Sequence, residues 1–112
     1  MSFQIIGTPG CRDTKKCRLW FEQRGVGFHF VDLKKRALSA GELKSIASSA
    51  SWDEMLDRES KAWKKRQLEW KEFDPLEELS NEPLLMKTPV VRRGSDVVIG
   101  YRPDEWQRFI EK

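Results

Sequence analysis

The hydrophobic positions of the 112-residue chain change period along its length, and each change predicts a different element. Residues 3–6 form a short β-rich run. Residues 26–33 place apolar side chains on both faces of an alternating pattern, which is typical of a strand in a buried parallel sheet. Between these runs, residues 11–24 carry apolar side chains at helical spacing, and Gly25 is placed to end that helix. The first third therefore predicts a βαβ unit.

The middle of the chain, about residues 40–82, contains few β-rich runs and predicts helices. Ser39 and Glu42 have the spacing of a capping box, and Asp74-Pro75 is typical of a second helix start. Four large apolar side chains in this region are expected to contact the core: Trp52, Leu56, Trp63 and Leu68.

After Pro83 the period returns to that of strands. Residues 84–91 and 97–101, joined by a polar turn at 92–96, predict a β-hairpin, and a final helix follows in which Trp106 and Phe109 face the core. The order βαβ, helices, ββα predicts an α/β, thioredoxin-like fold with a helical insertion. We expect one domain over 1–112, with thioredoxin-like parts at about 1–36 and 84–112 and the insertion at about 37–83.

Composition narrows the class of protein without naming a function. Apolar residues make up 38% and charged residues 35% of the chain, which indicates a globular, soluble protein. No run approaches the roughly 20 apolar residues of a membrane span, and the first residues do not resemble a signal peptide, so we expect a cytoplasmic protein without membrane contact, and a monomer. The net charge of +3 fits a small anionic substrate, a nucleic acid or simply a solvated basic surface.

Cys11 is the residue best placed for chemistry. It follows a predicted strand and a Gly-Thr-Pro-Gly turn at residues 7–10 and begins a helix, where the helix dipole and free N–H groups stabilise a thiolate. Arg12, Lys15 and Lys16 add positive charge nearby. An ordinary loop cysteine is the alternative.

Cys17 is the second of only two cysteines, and the single histidine is His29, so we expect neither a disulfide framework nor a metal site. Six helical residues separate the two cysteines by about 9 Å along the axis, farther than the roughly 7 Å that a disulfide spans between Cα atoms. Cys17 shares an apolar helix face with Trp20 and Phe21, so we interpret it as a core residue. Local unwinding would still permit a regulatory bridge.

Thr88-Pro89 opens a strand in the second half and is a candidate cis peptide bond, which would place Thr88 beside the reactive sulfur. A trans proline at a strand start is the alternative. Arg58 and Arg102 are candidate anion-binding residues, because arginine binds oxyanions and carboxylates bidentately. Their local sequence alone would be compatible with surface arginines.

Nearly the whole chain resembles the arsenate-reductase-like family, which includes the ArsC, Spx and YffB branches. The resemblance rests on the segments at residues 7–21, 26–34, 38–43, 56–58, 83–91 and 100–106. It implies that Cys11 is the reactive cysteine and that Arg58 and Arg102 bind anions. Arsenate reductases carry another arginine at the position of Thr88, which argues against arsenate as the substrate.

Two features of the sequence indicate which branch of the family the chain resembles most. The residues after Cys11 are closer to the YffB branch, whose members resemble glutathione-dependent thiol reductases. Spx carries a two-cysteine switch with two residues between its cysteines, and Thr14 stands at the second position here. The resemblance thus implies no bound cofactor, glutathione as co-substrate, and glutathione or glutaredoxin as the partner that resolves the intermediate.

Two functions of different classes stay open. The first is an enzyme: a glutathione-linked thiol reductase, or arsenate-reductase-like oxidoreductase, in which the Cys11 thiolate attacks a small anionic or disulfide substrate. The second is a Spx-like transcriptional regulator that docks on RNA polymerase without turnover. A relative that shares only the fold is a third, weaker interpretation.

Overall fold

The computed structural model describes residues 2–111 and contains a four-stranded sheet flanked by helices. In chain order the strands and helices are β1 (Phe3–Gly7), α1 (Arg12–Gln23), β2 (Phe28–Asp32), α2 (Ala40–Ser49), α3 (Trp52–Met55), α4 (Lys61–Lys65), α5 (Pro75–Asn81), β3 (Val90–Arg93), β4 (Asp96–Ile99) and α6 (Pro103–Glu111). Short 3₁₀ turns lie at Leu68–Trp70 and Pro83–Leu85. The predicted α/β, thioredoxin-like fold is confirmed.

The sheet has the strand order β2-β1-β3-β4. β1 and β2 are parallel, with Gly7 opposite Asp32 at their carboxyl ends, whereas β3 pairs antiparallel with both β1 and β4. A parallel pair needs a crossover connection, and α1 provides it. The loops that follow β1 and β2 therefore leave the sheet at the same edge, and this edge carries the candidate site.

The two faces of the sheet bury two separate apolar clusters. Ile5 and Ile6 are both fully buried, and as strand neighbours they point to opposite faces. Ile6 packs in the cluster that contains the buried side chains of α2, α3, α4 and α5, and Ile5 packs with those of α1 and α6. The middle region thus covers one face, and α1 with α6 covers the other.

The predicted capping signals of the middle region are present. Ser39 and Glu42 form the complete capping box of α2, and Asp74 caps α5 with Pro75 in its first turn. Of the four expected core residues, Leu56, Trp63 and Leu68 are buried, and Trp52 is partly buried against the same cluster.

The segment before β3 differs from the prediction. Residues 84–87 are not part of a strand, because Pro83 begins a 3₁₀ turn that Glu82 caps, and β3 starts only at Val90. The Thr88–Pro89 peptide bond is cis, as the sequence suggested. The last strand also ends two residues early, at Ile99, because Gly100 adopts a positive φ of 92° that turns the chain out of the sheet.

Backbone hydrogen bonds connect the helical middle region to the segment before β3. The Asp57 N–H donates to the carbonyl of Leu85, and the Lys87 N–H donates to that of Met55, each across 2.8 Å. Between these bonds, Leu56 and Met86 form an isolated antiparallel bridge. We call these three pairings the 55–87 tie.

Cys17 is fully buried with Phe21 and Trp106 in the cluster under α1, and its burial raises the pKa of its thiol to about 12. We expect Cys17→Ala to lower the free energy of unfolding by about 1 kcal/mol, the scale of a small buried truncation. Cys17→Ser should cost about 1–3 kcal/mol because it buries a hydroxyl. Urea unfolding measures both, and the alkylation rate of Cys11 should stay at the wild-type value. A large loss of Cys11 reactivity in Cys17→Ala would contradict this role.

Candidate functional site

Cys11 lies at the point where β1 passes into α1. After Gly7 the chain turns sharply, and the Cys11 N–H donates to the carbonyl of Thr8 across 3.1 Å. Cys11 is the N-cap residue of α1 and has extended backbone angles (φ −79°, ψ 120°), so its side chain stands at the N-terminus of a 12-residue helix. The unpaired N–H groups and the positive end of the helix dipole favour an anion there.

Thr88 comes from the other half of the chain to meet this thiol. Its Oγ1 donates to Cys11 Sγ across 3.1 Å, and Thr88 directly precedes the cis peptide bond. Pro89 is buried, and its carbonyl accepts a hydrogen bond from the N–H of Gly100 across 2.8 Å. The predicted pair Thr88-Pro89 therefore belongs to the immediate surroundings of the sulfur.

Thr14 lies one helical turn after Cys11 and is completely buried. Its hydroxyl makes no hydrogen bond to any other residue that the structure describes. The space it occupies exists because residue 7 is glycine, since a Cβ there would lie 2.7 Å from Thr14 Cγ2 and closer still to Oγ1. Gly7 thus allows a hydroxyl directly beneath the reactive sulfur.

The pKa of Cys11 results from opposing effects. Burial raises the pKa of the thiol, but the hydroxyls of Thr14 and Thr88 and then the backbone N–H groups of Thr14 and Asp13 lower it more, so that it lies below its ordinary value. Of these groups, only the Thr88 hydroxyl lies in hydrogen-bond geometry to the sulfur. The Cys11 side chain accepts no capping hydrogen bond from the N–H groups of α1. The other groups therefore stabilise the thiolate at longer range, through their partial charges.

A cavity of about 540 Å³ opens over Cys11. Its floor is apolar, and charged side chains of both signs stand around it. The lining residues, besides Cys11 and Thr88, are Thr8, Gly10, Leu33, Lys34, Asp57, Glu59, Ser60, Lys61, Leu84 and Met86. We call this space the Cys11 cavity.

The two arginines predicted to bind anions do not line the Cys11 cavity. Arg58 is exposed, pairs with Asp53 and stacks over the ring of Trp63, with 5.4 Å between its guanidinium carbon and the ring centroid. The carboxylate of Asp53 and the ring of Trp63 hold the Arg58 guanidinium at a place that is not part of the lining of the Cys11 cavity. Its anion-binding role stays a prediction.

Arg102 lies in a different cavity, of about 260 Å³, which Lys87 and Tyr101 also line. Lys87 and Thr88 are neighbours in sequence but line different cavities. Arg12 and Lys15 are exposed on the first turns of α1 and do not line the Cys11 cavity. They contribute positive potential near the site without direct contact.

Five polar or charged residues on which the site depends were missing from the sequence-based prediction: Thr14, Lys34, Asp57, Glu59 and Lys61. The signal for Lys34 lies in the topology. Because β1 and β2 are parallel, the residues just after each strand share one edge of the sheet, so Lys34 falls beside the loop that carries Cys11. Lys61 and its neighbours reach the site only through the 55–87 tie, which no local pattern indicates.

No group of three or more His, Cys, Asp or Glu side chains within residues 2–111 is arranged to hold a metal ion. Both cysteines are free thiols. None of the helices described is long and apolar enough to cross a membrane. Cys11 is thus a partly exposed free thiol with a lowered pKa.

A model of the ArsC family matches residues 7–109, a range that includes the whole site. The chain belongs to the ArsC family. Among relatives of this ArsC-family chain, the global transcriptional regulator Spx 2 of Oceanobacillus iheyensis is 27% identical over 100% of the chain and 86% of the relative.

Two solved structures are similar to this ArsC-family protein. An arsenate reductase (ArsC) related protein from Brucella melitensis is 26% identical, with a TM-score of 0.74 over 100% of this chain and 97% of that one. A protein named YffB superimposes with a TM-score of 0.87 over 96% and 97% of the two chains at 22% identity, which shows the shared fold.

The two threonine hydroxyls should control the reactivity of Cys11 in this ArsC-family site. We expect the iodoacetamide rate of the wild type to rise with pH through a midpoint below the roughly 8.5 of free cysteine, because only the thiolate reacts. Thr88→Val and Thr14→Val should move the midpoint upward and slow alkylation at pH 7 by about three- to tenfold, since each removes a donor to the anion. Thr14→Ser, which keeps the hydroxyl, is the matched control. A wild-type midpoint at or above the free value would refute this assignment.

Proposed function

We propose that this protein is a glutathione-linked thiol oxidoreductase that works through the single reactive thiol of Cys11. The observation that supports it most directly is the placement of Cys11 at the start of α1. There Thr88 donates to the sulfur, and the thiol faces an open cavity. A thiolate in this setting is a nucleophile towards disulfides.

The reaction proposed is the reduction of a glutathione mixed disulfide. The Cys11 thiolate attacks the glutathione sulfur of R–S–S–G, the S–S bond breaks, and R–S⁻ leaves and takes up a proton from solvent. Cys11 is then joined to glutathione by a disulfide. The thiolate of a second glutathione attacks the glutathione sulfur of that disulfide, forms oxidised glutathione and releases the Cys11 thiolate.

The need for an external thiol follows from the rest of the chain. Thr14 stands where a second thiol one turn along the helix could resolve the intermediate. Cys17 is fully buried and its pKa is raised to about 12, so it supplies no thiolate near neutral pH. Glutathione, or a glutaredoxin, is the resolving partner that this arrangement favours. Such chemistry suits the reducing cytoplasm, and a monomer contains every residue that it requires.

Arsenate fits the site less well than a disulfide. An oxyanion needs several converging cations, but Arg58 and Arg102 lie outside the Cys11 cavity, and Thr88 supplies a neutral hydroxyl. The positive charges of Lys34 and Lys61 in the cavity are offset by Asp57 and Glu59, so the lining offers an oxyanion no net positive charge.

A transcriptional regulator that docks on RNA polymerase is a second candidate function. The observation in its favour is the similarity over 100% of the chain to a protein named global transcriptional regulator Spx 2. Docking would need a surface rather than a reactive thiol. Docking on a polymerase would require neither the lowered pKa of Cys11 nor the open cavity, so we place this candidate second.

A coupled assay with NADPH, glutathione reductase and the mixed disulfide of glutathione and 2-mercaptoethanol tests the proposed activity. We expect turnover in the wild type, loss of all activity above background in Cys11→Ser, and retention of most activity in Cys17→Ala. With glutaredoxin and arsenate in place of the disulfide, the rate should be roughly ten- to a hundredfold lower, the cost of one missing charge-assisted contact. Arsenate turnover that equals the disulfide rate would overturn the assignment of the substrate.

Gel filtration of a mixture with purified bacterial RNA polymerase tests the second candidate. If the protein is an enzyme, we expect no co-elution at micromolar concentrations for the wild type or for Cys11→Ser. Co-elution of both forms, together with absence of turnover, would make the regulator the better assignment, because docking does not depend on the thiol.

A further inference from the structure

We propose that the Cys11 cavity selects disulfides of amino-acid type, which carry a carboxylate and an ammonium group, with the carboxylate at Lys34 and the ammonium at Asp57 and Glu59. This inference rests on the proposed function and specifies the substrate class of the same site. It follows from the distribution of charge between the two walls of the cavity.

The first wall, formed by the loop after β2, is cationic. The Lys34 N–H donates to Asp32 Oδ1 across 2.9 Å, which fixes the turn that follows the strand. Lys34 Nζ would lie 3.9 Å from a Cβ placed on Gly10, the residue before Cys11. The ammonium of Lys34 therefore stands beside the loop that carries the thiol, where it can pair with a carboxylate of a bound disulfide.

The second wall, residues 57–61, carries both carboxylates of the cavity, those of Asp57 and Glu59, together with the ammonium of Lys61, and the net charge of these three side chains is negative. Asp57 is held by its N–H bond to Leu85 of the 55–87 tie, and its Oδ1 accepts the N–H of Glu59 across 3.0 Å. Ser60 stiffens the same loop, since its hydroxyl donates to the Asp57 carbonyl across 2.7 Å and accepts the N–H of Trp63. The acidic wall is thus an ordered part of the fold.

The formal charges of the cavity cancel. Lys34 and Lys61 contribute two positive charges, and Asp57 and Glu59 contribute two negative ones. A purely anionic or purely cationic ligand meets as much repulsion as attraction, whereas a zwitterion pairs both of its groups. The apolar floor of Leu33, Leu84 and Met86 faces the uncharged stem between them, as in glutathione, cystine and related disulfides.

The test compares the rates at which Cys11 forms mixed disulfides with four reagents, measured by intact-protein mass spectrometry at low ionic strength. Glutathione disulfide is the reagent that carries both ammonium and carboxylate groups, with carboxylates in excess. Cystamine is the cationic reagent, dithiodiglycolate the anionic one and bis(2-hydroxyethyl) disulfide the neutral one. Each rate is divided by that of the neutral reagent for the same variant, which cancels any change in the thiolate fraction of Cys11.

The variants remove one charge at a time: Lys34→Gln, Asp57→Asn and Glu59→Gln. Lys35→Gln and Glu22→Gln are matched controls, because both residues are exposed and neither lines the cavity. We expect Lys34→Gln to lower the normalised rates of glutathione disulfide and dithiodiglycolate by about three- to fivefold and to raise that of cystamine. Asp57→Asn and Glu59→Gln should lower glutathione disulfide and cystamine and raise dithiodiglycolate. The controls should stay within error of the wild type.

The inference is supported if the normalised rates of cystamine and dithiodiglycolate change in opposite directions in Lys34→Gln and in the Asp57 and Glu59 variants. Equal effects of Lys34→Gln and Lys35→Gln, or normalised rates that no cavity variant changes, would overturn it and leave the proposed function intact if glutathione disulfide still reacts. A Cys11 that exchanges with none of the four reagents would refute the inference and the proposed function together.

Discussion

The hydrogen bond from Thr88 to the thiol of Cys11 joins residues 77 positions apart, and most of the fold serves to keep them in contact. A thiolate at a helix start is stabilised only while donors remain around it. Because β1 pairs antiparallel with β3, Thr88 before β3 and Cys11 after β1 lie at the same edge of the sheet. The packing of Cys17 and Phe21 of α1 against Ile5 of β1 then fixes the direction of the helix.

Local chemistry made much of this arrangement predictable. Alternation in residues 26–33 indicates β2, the Ser39–Glu42 spacing indicates α2, and the turn before Cys11 indicates a helix start with a reactive thiol. Each signal arises from residues within a few positions of one another, so the sequence displays it directly. The predicted order of elements added Thr88, because a proline that opens a strand in the second half of a thioredoxin-like chain is a candidate cis peptide bond beside the reactive sulfur.

The features that the sequence did not show depend on tertiary pairing. Arg58 contacts Asp53 and Trp63 and does not line the Cys11 cavity, which only the folded insertion shows, and its anion-binding role stays a prediction. Lys34 reaches the site through the parallel register of β1 and β2. The buried place of Thr14 depends on the absence of a side chain at Gly7. In each case a distant neighbour decides where the side chain lies.

The 55–87 tie has a consequence for how the site can be lost. It joins the acidic cavity wall and the segment that carries Thr88 in one hydrogen-bonded unit. If the insertion opened locally, the sulfur would lose a donor and the cavity would lose a wall in the same event. Cys11 would then keep only the stabilising groups of α1, and its pKa would rise, while the sheet, α1 and α6 stayed folded. The reactivity of the Cys11 thiol therefore reports whether the helical insertion, which is remote from Cys11 in the sequence, is folded.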